Sequence, residues 1–212
     1  MAIEEKIPTS SINDGCTQSA GKAYLFSKRA FDILLSLIGL IVAAIPMAVI
    51  AIWIKCDSSG PVLLRQERVG KGGEVFRILK FRTMYTYAPN NVATSLLENA
   101  DRYITPVGRV LRKTSLDELP QLWNVLRGDM SLVGYRPVCL TEKKLNALRR
   151  EYGVFVCKPG ITGLAQVRGR DDLPYKEKAK VDAEYVAKRS LRLDLYCLLM
   201  TIPVALTQRG AK

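Results

Sequence analysis

The sequence predicts an α+β fold that is mostly helical, with an N-terminal membrane helix, a small β-hairpin and a helical cytoplasmic domain with interfacial amphipathic helices. Three observations support this fold class: a long uncharged run near the N terminus, two strand-like segments joined by a glycine-rich turn, and helical spacing of apolar residues further along. A chain of 212 residues has room for one domain of ordinary size and a short additional element.

The uncharged run Ile33–Ile54 contains 22 residues, enough to cross a bilayer. Basic residues lie on both sides of it, Lys28 and Arg29 before and Lys55 after. Because positive residues mark the cytoplasmic side, a spanning helix would put one basic flank on the wrong face. Pro46 lies near the middle, where proline kinks a helix. We therefore expect a re-entrant helix over residues 23–56; a simple spanning helix is the alternative.

The two ends of the chain differ in character. Residues 1–22 are polar and serine-rich with no apolar core segment, so we expect a disordered tail and not a signal peptide. The stretch Leu191–Leu206 is apolar but is interrupted by Pro203. For residues 191–212 we therefore expect an interfacial helix and not a second span.

Between these ends the pattern changes from strands to helices. Pro61–Val69 and Glu74–Met84 are typical of strands, and the glycine-rich turn between them predicts a β-hairpin. Residues 85–105 are polar and irregular, which favours a mobile loop or lid. Apolar spacing predicts helices over Leu119–Arg127 and Leu173–Lys188. The strands do not alternate with helices, so a doubly wound sheet is not expected.

The composition excludes several classes of site. The chain has no histidine, which removes Ser-His-Asp and Cys-His catalysis and zinc-protease helices. Its five cysteines form no C-x-x-C motif, so a zinc knuckle is excluded and a reducing compartment is favoured. The net charge of +12 suits anionic lipid head groups and phosphorylated substrates. No nucleic-acid partner is expected, because aromatics are only 8% and no nucleic-acid-binding motif is present.

Two adjacent carboxylates, Asp117 and Glu118, follow a basic segment. Ser115 and Glu118 match a helix capping box, a purely structural device. Pro120 argues against it, because with Ser115 as the N-cap this proline would be the fifth helical residue, where its missing N–H matters. With Asp117 as the N-cap, the proline would lie in the first turn, where that N–H is not needed. Carboxylates among cations stay ionised and could hold Mg²⁺ and a diphosphate, or attack phosphorus. Spacing alone leaves helix capping and this chemistry both open.

Two loops add to the basic surroundings of these carboxylates. Gly134-Tyr135-Arg136-Pro137 places an arginine in a proline-bounded turn. Residues 158–170 form a glycine-punctuated segment with three cations, which could cradle a phosphate with its amides. Each could equally be an ordinary surface loop.

Taken together and in order, six segments resemble the bacterial sugar transferase family, the small monotopic phosphoglycosyl transferases. They cover residues 24–206 and read Lys28-Arg-Ala-Phe-Asp32, Arg65-Gln-Glu-Arg-Val-Gly70, Phe76-Arg-Ile-Leu-Lys-Phe-Arg-Thr-Met84, Ser115-Leu-Asp-Glu-Leu-Pro-Gln-Leu122, Gly128-Asp-Met-Ser-Leu-Val-Gly-Tyr-Arg-Pro137 and Pro159-Gly-Ile-Thr-Gly-Leu-Ala-Gln-Val-Arg-Gly-Arg170.

The resemblance implies a bacterial inner-membrane protein with a re-entrant helix and a cytoplasmic catalytic domain over residues 57–190. Its activity would be transfer of sugar-1-phosphate from a UDP-sugar to undecaprenyl phosphate with release of UMP, the first membrane step of surface polysaccharide or glycoconjugate synthesis. Asp117 would be the nucleophile that carries a phosphosugar-aspartyl intermediate, and Asp117 and Glu118 would hold Mg²⁺. The implied substrate-binding residues are Lys80, Arg112, Arg136, Arg170, Gln166 and Thr162.

Two positions depart from the family pattern. Ile45-Pro46 stands where the family often has Ser-Pro, and Tyr135 replaces the first proline of Gly-Pro-Arg-Pro.

A non-enzymatic membrane scaffold with a basic lipid- or partner-binding face is the alternative function. The sequence identifies neither the sugar nor the glycan pathway, and it leaves the oligomeric state open, a homodimer included.

Overall fold

The computed structural model describes residues 21–92, 94–169 and 172–207. The tail predicted over residues 1–22 lies almost wholly outside this range, and Lys22 already belongs to a helix. Seven helices and four strands are described, in the chain order α1 Lys22–Asp57, β1 Leu63–Val69, β2 Val75–Phe81, α2 Pro106–Thr114, α3 Gln121–Arg127, β3 Ser131–Val133, α4 Lys143–Glu151, β4 Gly160–Thr162, α5 Leu164–Arg168, α6 Tyr175–Lys188 and α7 Leu191–Thr207.

Helix α1 is long and apolar enough to cross a membrane, and it continues through Pro46 as one element. Only 17% of its most apolar 18-residue window is buried in the protein. The buried positions Asp32, Ser36, Ile50 and Ile54 recur at helical spacing, so one side of α1 rests on the domain. The other sides present apolar side chains outward, as expected for a helix in lipid.

The N-terminal half of α1 is attached to the domain by polar contacts. Arg29 donates to the carbonyls of Val125 and Leu126 at 2.6 and 2.8 Å, which satisfies the free carbonyls at the end of α3. The buried carboxylate of Asp32 accepts the backbone N–H of Leu132 at 3.0 Å. The Lys28–Asp32 segment thus docks the helix onto the domain, a function that its position before an apolar run did not indicate.

The C-terminal half of α1 is attached to the same domain by apolar packing. Ile50 and Ile54 belong to a cluster with the hairpin and α2, whose other buried members are Phe81, Val107 and Leu111. Arg82 donates to the carbonyl of Ser58 at 2.7 Å and so fixes the chain just after α1. Both ends of the apolar helix therefore contact one body.

The predicted hairpin is confirmed: β1 and β2 are antiparallel, with a register from Leu63 opposite Phe81 to Val69 opposite Val75. A second pair, β3 and β4, is parallel and was not predicted. Each of its strands has only three residues, too few for an alternating pattern to show. These are the two sheets of the described residues, so a mostly helical α+β fold without a doubly wound sheet is confirmed.

Three local predictions need correction. The helix expected from Leu119 begins at Gln121, and Pro120, not Asp117, is its N-cap. Residues 85–105 are not wholly irregular, since they include 3₁₀ turns at Thr94–Leu96 and Ala100–Tyr103. Helix α7 continues through Pro203 to Thr207, because a proline removes only its own backbone hydrogen bond, here the one to the Leu199 carbonyl.

Helix α7 also differs from a conventional amphipathic helix. Arg192 is exposed near its start, but the exposed large side chains from Leu195 onward are mostly apolar and include Leu195, Leu199 and Ile202. Its acid, Asp194, is buried and accepts hydrogen bonds from Tyr185 at 2.6 Å and from Lys28 of α1 at 3.0 Å. The acid of α7 therefore faces the protein, and the apolar side chains after it face outward.

Candidate active site

Glu118 is the centre of a cluster of charged side chains. Lys80 Nζ lies 2.8 Å from its Oε1, and Arg136 donates from Nη2 to Oε1 at 2.6 Å and from Nη1 to Oε2 at 3.2 Å. Burial by itself would raise the pKa of Glu118, but the charges and hydrogen bonds of Arg136 and Lys80 lower this pKa well below its usual range. Glu118 is therefore ionised throughout the physiological range.

These three residues come from separate elements. Lys80 belongs to β2, Arg136 follows β3, and Glu118 ends a 3₁₀ turn over Leu116–Glu118. Ser115 adopts the left-handed conformation, φ 57°, which ends α2 and redirects the chain into this turn. The hydroxyl of Ser115 makes no capping hydrogen bond, so the capping-box explanation of the Ser-x-x-Glu spacing is wrong.

Asp117 lies beside Glu118 in a different environment. It is only 8% exposed, and no hydrogen bond to its carboxylate occurs among the described residues. Burial raises its pKa and the negative charge of Glu118 adds to this, while Lys80, Arg136 and Arg112 act in the opposite direction. The two adjacent carboxylates thus have pKa values shifted in opposite directions, a common arrangement in active sites.

Arg112 completes what we call the carboxylate–cation cluster: Lys80, Arg112, Asp117, Glu118 and Arg136. Its charge lowers the pKa of Asp117, and its guanidinium donates to the Thr94 hydroxyl at 3.2 Å. The structure thus brings together five of the residues that the resemblance implied. Three cationic groups near a carboxylate pair suit an anionic ligand such as a phosphate.

The other implied substrate residues are not placed in this cluster. Thr162 pairs with the hydroxyl of Thr201 at 2.6 Å, and Gln166 donates to the carbonyl of Ile161 at 2.7 Å. Arg170 lies outside the described residues. The substrate-binding role of these three residues stays a prediction.

The expectation of exposed amides in the glycine-punctuated segment is wrong for Gly160, whose N–H donates to the Tyr135 carbonyl at 2.8 Å. In the same region, Gly134 donates its N–H to the Thr162 carbonyl at 2.9 Å. A Cβ added to Gly163 would lie 1.8 Å from the Gly134 carbonyl oxygen. The amides of Gly134 and Gly160 are therefore already paired with carbonyls, and Gly163 lies where two backbones pack closely.

One residue that supports the cluster was missed from the sequence. Arg149 of α4 is 1% exposed and donates to the backbone carbonyl of Arg136 at 2.8 Å. Its guanidinium pairs with buried Asp182 at 2.6 Å and lies 5.1 Å from the centre of the Tyr135 ring. The loop that carries Arg136, which lacks the family's first proline, is thus held by Arg149. No pattern links α4 to this loop, so only the fold could reveal the contact.

A second missed cation is Arg68 of β1. It is half-buried, and burial is the main cause of its lowered pKa. The positive charge of Arg136 lowers this pKa further, and the negative charge of Glu118 raises it. Its guanidinium donates to Gln66, which is the contact that orients it. Arg68 therefore adds positive charge near the carboxylate–cation cluster.

The described residues contain no group of three or more metal-ligating side chains. The adjacent carboxylates nevertheless fit Mg²⁺, which uses one or two protein carboxylates and fills its other positions with water and phosphate oxygens. Asp117 is the better candidate ligand, because Glu118 is already engaged by Lys80 and Arg136.

Comparison with known proteins places this site in a family. The model of the family described as bacterial sugar transferase matches residues 23–208, most of the chain. The chain belongs to the bacterial sugar transferase family. The matched range includes the cluster and all of the apolar helix except its first residue, Lys22.

Individual relatives of this transferase chain carry names that specify a sugar. It is 39% identical over 202 residues to the galactosyl transferase CpsE of Streptococcus agalactiae and 40% identical over 208 residues to the undecaprenyl-phosphate galactose phosphotransferase of Salmonella typhimurium. It is 41% identical over 191 residues to the UDP-glucose:undecaprenyl-phosphate glucose-1-phosphate transferase of Caulobacter vibrioides. These alignments cover 90%, 91% and 87% of the chain, but 44%, 43% and 71% of the three relatives.

Proposed function

We propose that the protein transfers sugar-1-phosphate from a UDP-sugar to undecaprenyl phosphate, or a similar polyprenyl phosphate, and releases UMP. This would be the first membrane step in the synthesis of a bacterial surface polysaccharide or glycoconjugate. The observation that carries the proposal is the carboxylate–cation cluster. Within the described residues no hydrogen bond reaches the Asp117 carboxylate, while the adjacent Glu118 is fixed by Lys80 and Arg136. Relatives named for this reaction support it.

The reaction would proceed in two displacements at one phosphorus. An oxygen of ionised Asp117 attacks the β-phosphorus of the UDP-sugar, the bond from that phosphorus to the bridging oxygen breaks, and UMP leaves with the bridging oxygen. A phosphate oxygen of the lipid acceptor then attacks the same phosphorus and frees the Asp117 carboxylate. The covalent intermediate predicts ping-pong kinetics.

The remaining members of the cluster would position charge. Glu118 holds Lys80 and Arg136 in place, and these cations together with Arg112 neutralise the phosphate oxygens of donor and acceptor. Asp117, with Glu118 as a second ligand, would hold Mg²⁺. When bound, this ion would neutralise charge on the diphosphate. Arg149, which donates to the Arg136 carbonyl, would hold the Arg136 backbone where its guanidinium can reach Glu118.

The test is UMP release by the purified full chain with Mg²⁺, undecaprenyl phosphate and a panel of UDP-sugars. Release with one sugar, together with a phosphosugar adduct in the intact-protein mass spectrum when the acceptor is omitted, would support the proposal. A well-folded protein that releases no UMP with any donor and forms no adduct would contradict it and would favour the scaffold.

We further propose that α1 is re-entrant and that the domain lies on the cytoplasmic face of the bacterial inner membrane. The segment Ile33–Ile54 would be about 33 Å long, close to the thickness of a bilayer core. If it spanned the membrane, its two ends would lie on opposite faces. Arg29 at one end and Ile54 at the other nevertheless contact the same domain, which supports an arrangement with both ends on one face.

Cysteine labelling in intact cells checks this topology. Cys56 is exposed at the C-terminal end of α1, and Gly21 at the other end has open space around it. In a background without the other cysteines, we expect Cys56 and a Gly21→Cys variant both to resist an impermeant maleimide until the cells are permeabilised. Labelling of one of the two in intact cells would show a spanning helix.

The pH dependence of UMP release should report the ionisation of Asp117. Because burial raises its pKa and the reaction needs the carboxylate, activity should rise with pH through a value above the ordinary Asp pKa of about 3.9. Replacing Lys80 with methionine removes the largest opposing influence, so the acid limb of kcat/KM should move to higher pH. The exposed Lys71→Met variant is the control, and an equal shift in both variants would contradict the assignment.

A further inference from the structure

A partly open apolar cavity of about 420 Å³ lies between α3, the β3–β4 pair and α7. Its lining residues are Leu122, Leu132, Ile161, Thr162, Leu198, Thr201 and Ile202. The two threonine hydroxyls bond to each other at 2.6 Å, and Thr201 also bonds to the Cys197 carbonyl. The lining hydroxyls are therefore already paired, and the rest of the lining is apolar, which suits a hydrocarbon ligand.

The cavity lies close to the carboxylate–cation cluster along two independent paths. Leu122 follows Glu118 by four residues, from the end of the 3₁₀ turn into the start of α3, a rise of about 6–8 Å. Leu132 precedes Arg136 by four residues on a chain that bends at Gly134, so the two are at most about 13 Å apart along the backbone. A ligand with a charged head in the cluster could therefore reach the cavity with a short apolar tail.

The cavity also borders the apolar exterior of the protein. A Cβ added to Gly39, in the first third of the uncharged run of α1, would lie 3.1 Å from Leu122 Cδ1. Ile202 lines the cavity and is itself exposed, and Leu195 and Leu199 are exposed on the same helix. The cavity thus lies between the cations and the apolar surfaces that α1 and α7 present outward.

We propose that this cavity binds the first isoprene units of the polyprenyl phosphate acceptor while its phosphate contacts the cations at Glu118. This inference rests on the proposed function and names the acceptor's place in it. The acceptor is the substrate that joins an anionic head to a hydrocarbon chain, which matches a cationic cluster near an apolar cavity. The sugar and uridine of the donor are polar and do not match this lining.

The test uses the full chain in lipid nanodiscs and a pair of adjacent positions on α7. Leu198→Trp fills the cavity, whereas Leu199→Trp puts the same side chain on the outward face, where Leu199 is 58% exposed. Leu198→Trp should raise the KM for undecaprenyl phosphate about tenfold, the effect of losing burial of about two methylene groups. The KM for the UDP-sugar and all constants of Leu199→Trp should stay unchanged. If Leu198→Trp does not fold, Ile202→Trp at the cavity rim replaces it.

A second measurement does not depend on turnover. Undecaprenyl phosphate with a diazirine in its first isoprene units is photolysed with the wild-type protein, and the modified residues are mapped by mass spectrometry. Modification at Ile161, Leu198 or Ile202 supports the inference, even in a preparation that releases no UMP. Modification confined to the outward side of α1, or an unchanged KM in the folded Leu198→Trp variant, overturns it and leaves the proposed transferase reaction standing.

Discussion

Replacing Asp117 with asparagine is expected to reduce UMP release about a thousandfold or more, because the amide cannot form the phosphosugar intermediate. Folding should not suffer. Within the described residues the buried Asp117 carboxylate accepts no hydrogen bond that the amide would lose. Its raised pKa also means that the folded state disfavours the negative charge of this carboxylate. The neutral, nearly isosteric amide should therefore melt at the same temperature as the wild type or at a higher one, at neutral pH.

The measurement combines UMP release, the intact-protein mass and a melting curve. Asp101→Asn is the matched control, since the same chemical change falls on an exposed 3₁₀ turn. We expect this control to keep full activity and to form the adduct. An Asp117→Asn protein that still forms the phosphosugar adduct would assign the nucleophile to another residue.

The sequence was informative about this site because charge and turn chemistry are local signals. Glycines between two strand-like segments predicted the hairpin, and basic residues in separate motifs predicted cations around Asp117 and Glu118. Lys80 and Arg136 indeed contact Glu118, although they are 38 and 18 residues away from it. Which of the two carboxylates the cations would hold could not be predicted from spacing.

What could not be predicted depends on backbone conformation and tertiary contact. Helix α3 begins at Gln121, two residues later than the apolar spacing predicted. The reason is that left-handed Ser115 and the 3₁₀ turn over Leu116–Glu118 come before it, and a 3₁₀ turn cannot be told from the first turn of an α-helix by spacing alone. The role of Gly163 in backbone packing also needs the partner strand, since a glycine-rich loop has the same composition in either role.

The largest effect on stability is expected from Arg149→Met, which removes one partner of a buried ion pair. Asp182 would keep its burial and lose the guanidinium that opposes the rise of its pKa. Breaking a buried pair in this way typically costs about 3–5 kcal/mol. Denaturant unfolding measures the cost. Lys180→Met, which breaks an exposed pair with Glu177 on α6, should cost less than about 1 kcal/mol.

A double variant separates the role of the ion pair in stability from its role in the site. Arg149→Met with Asp182→Leu leaves no unpaired buried charge, so much of the lost stability should return. The hydrogen bond to the Arg136 carbonyl stays absent, and with it the fixed position of the guanidinium that holds Glu118. The double variant should therefore fold well and still show reduced kcat for UMP release. Full recovery of kcat would mean that Arg149 stabilises the fold without positioning Arg136, and that packing around Tyr135 is enough to hold the loop.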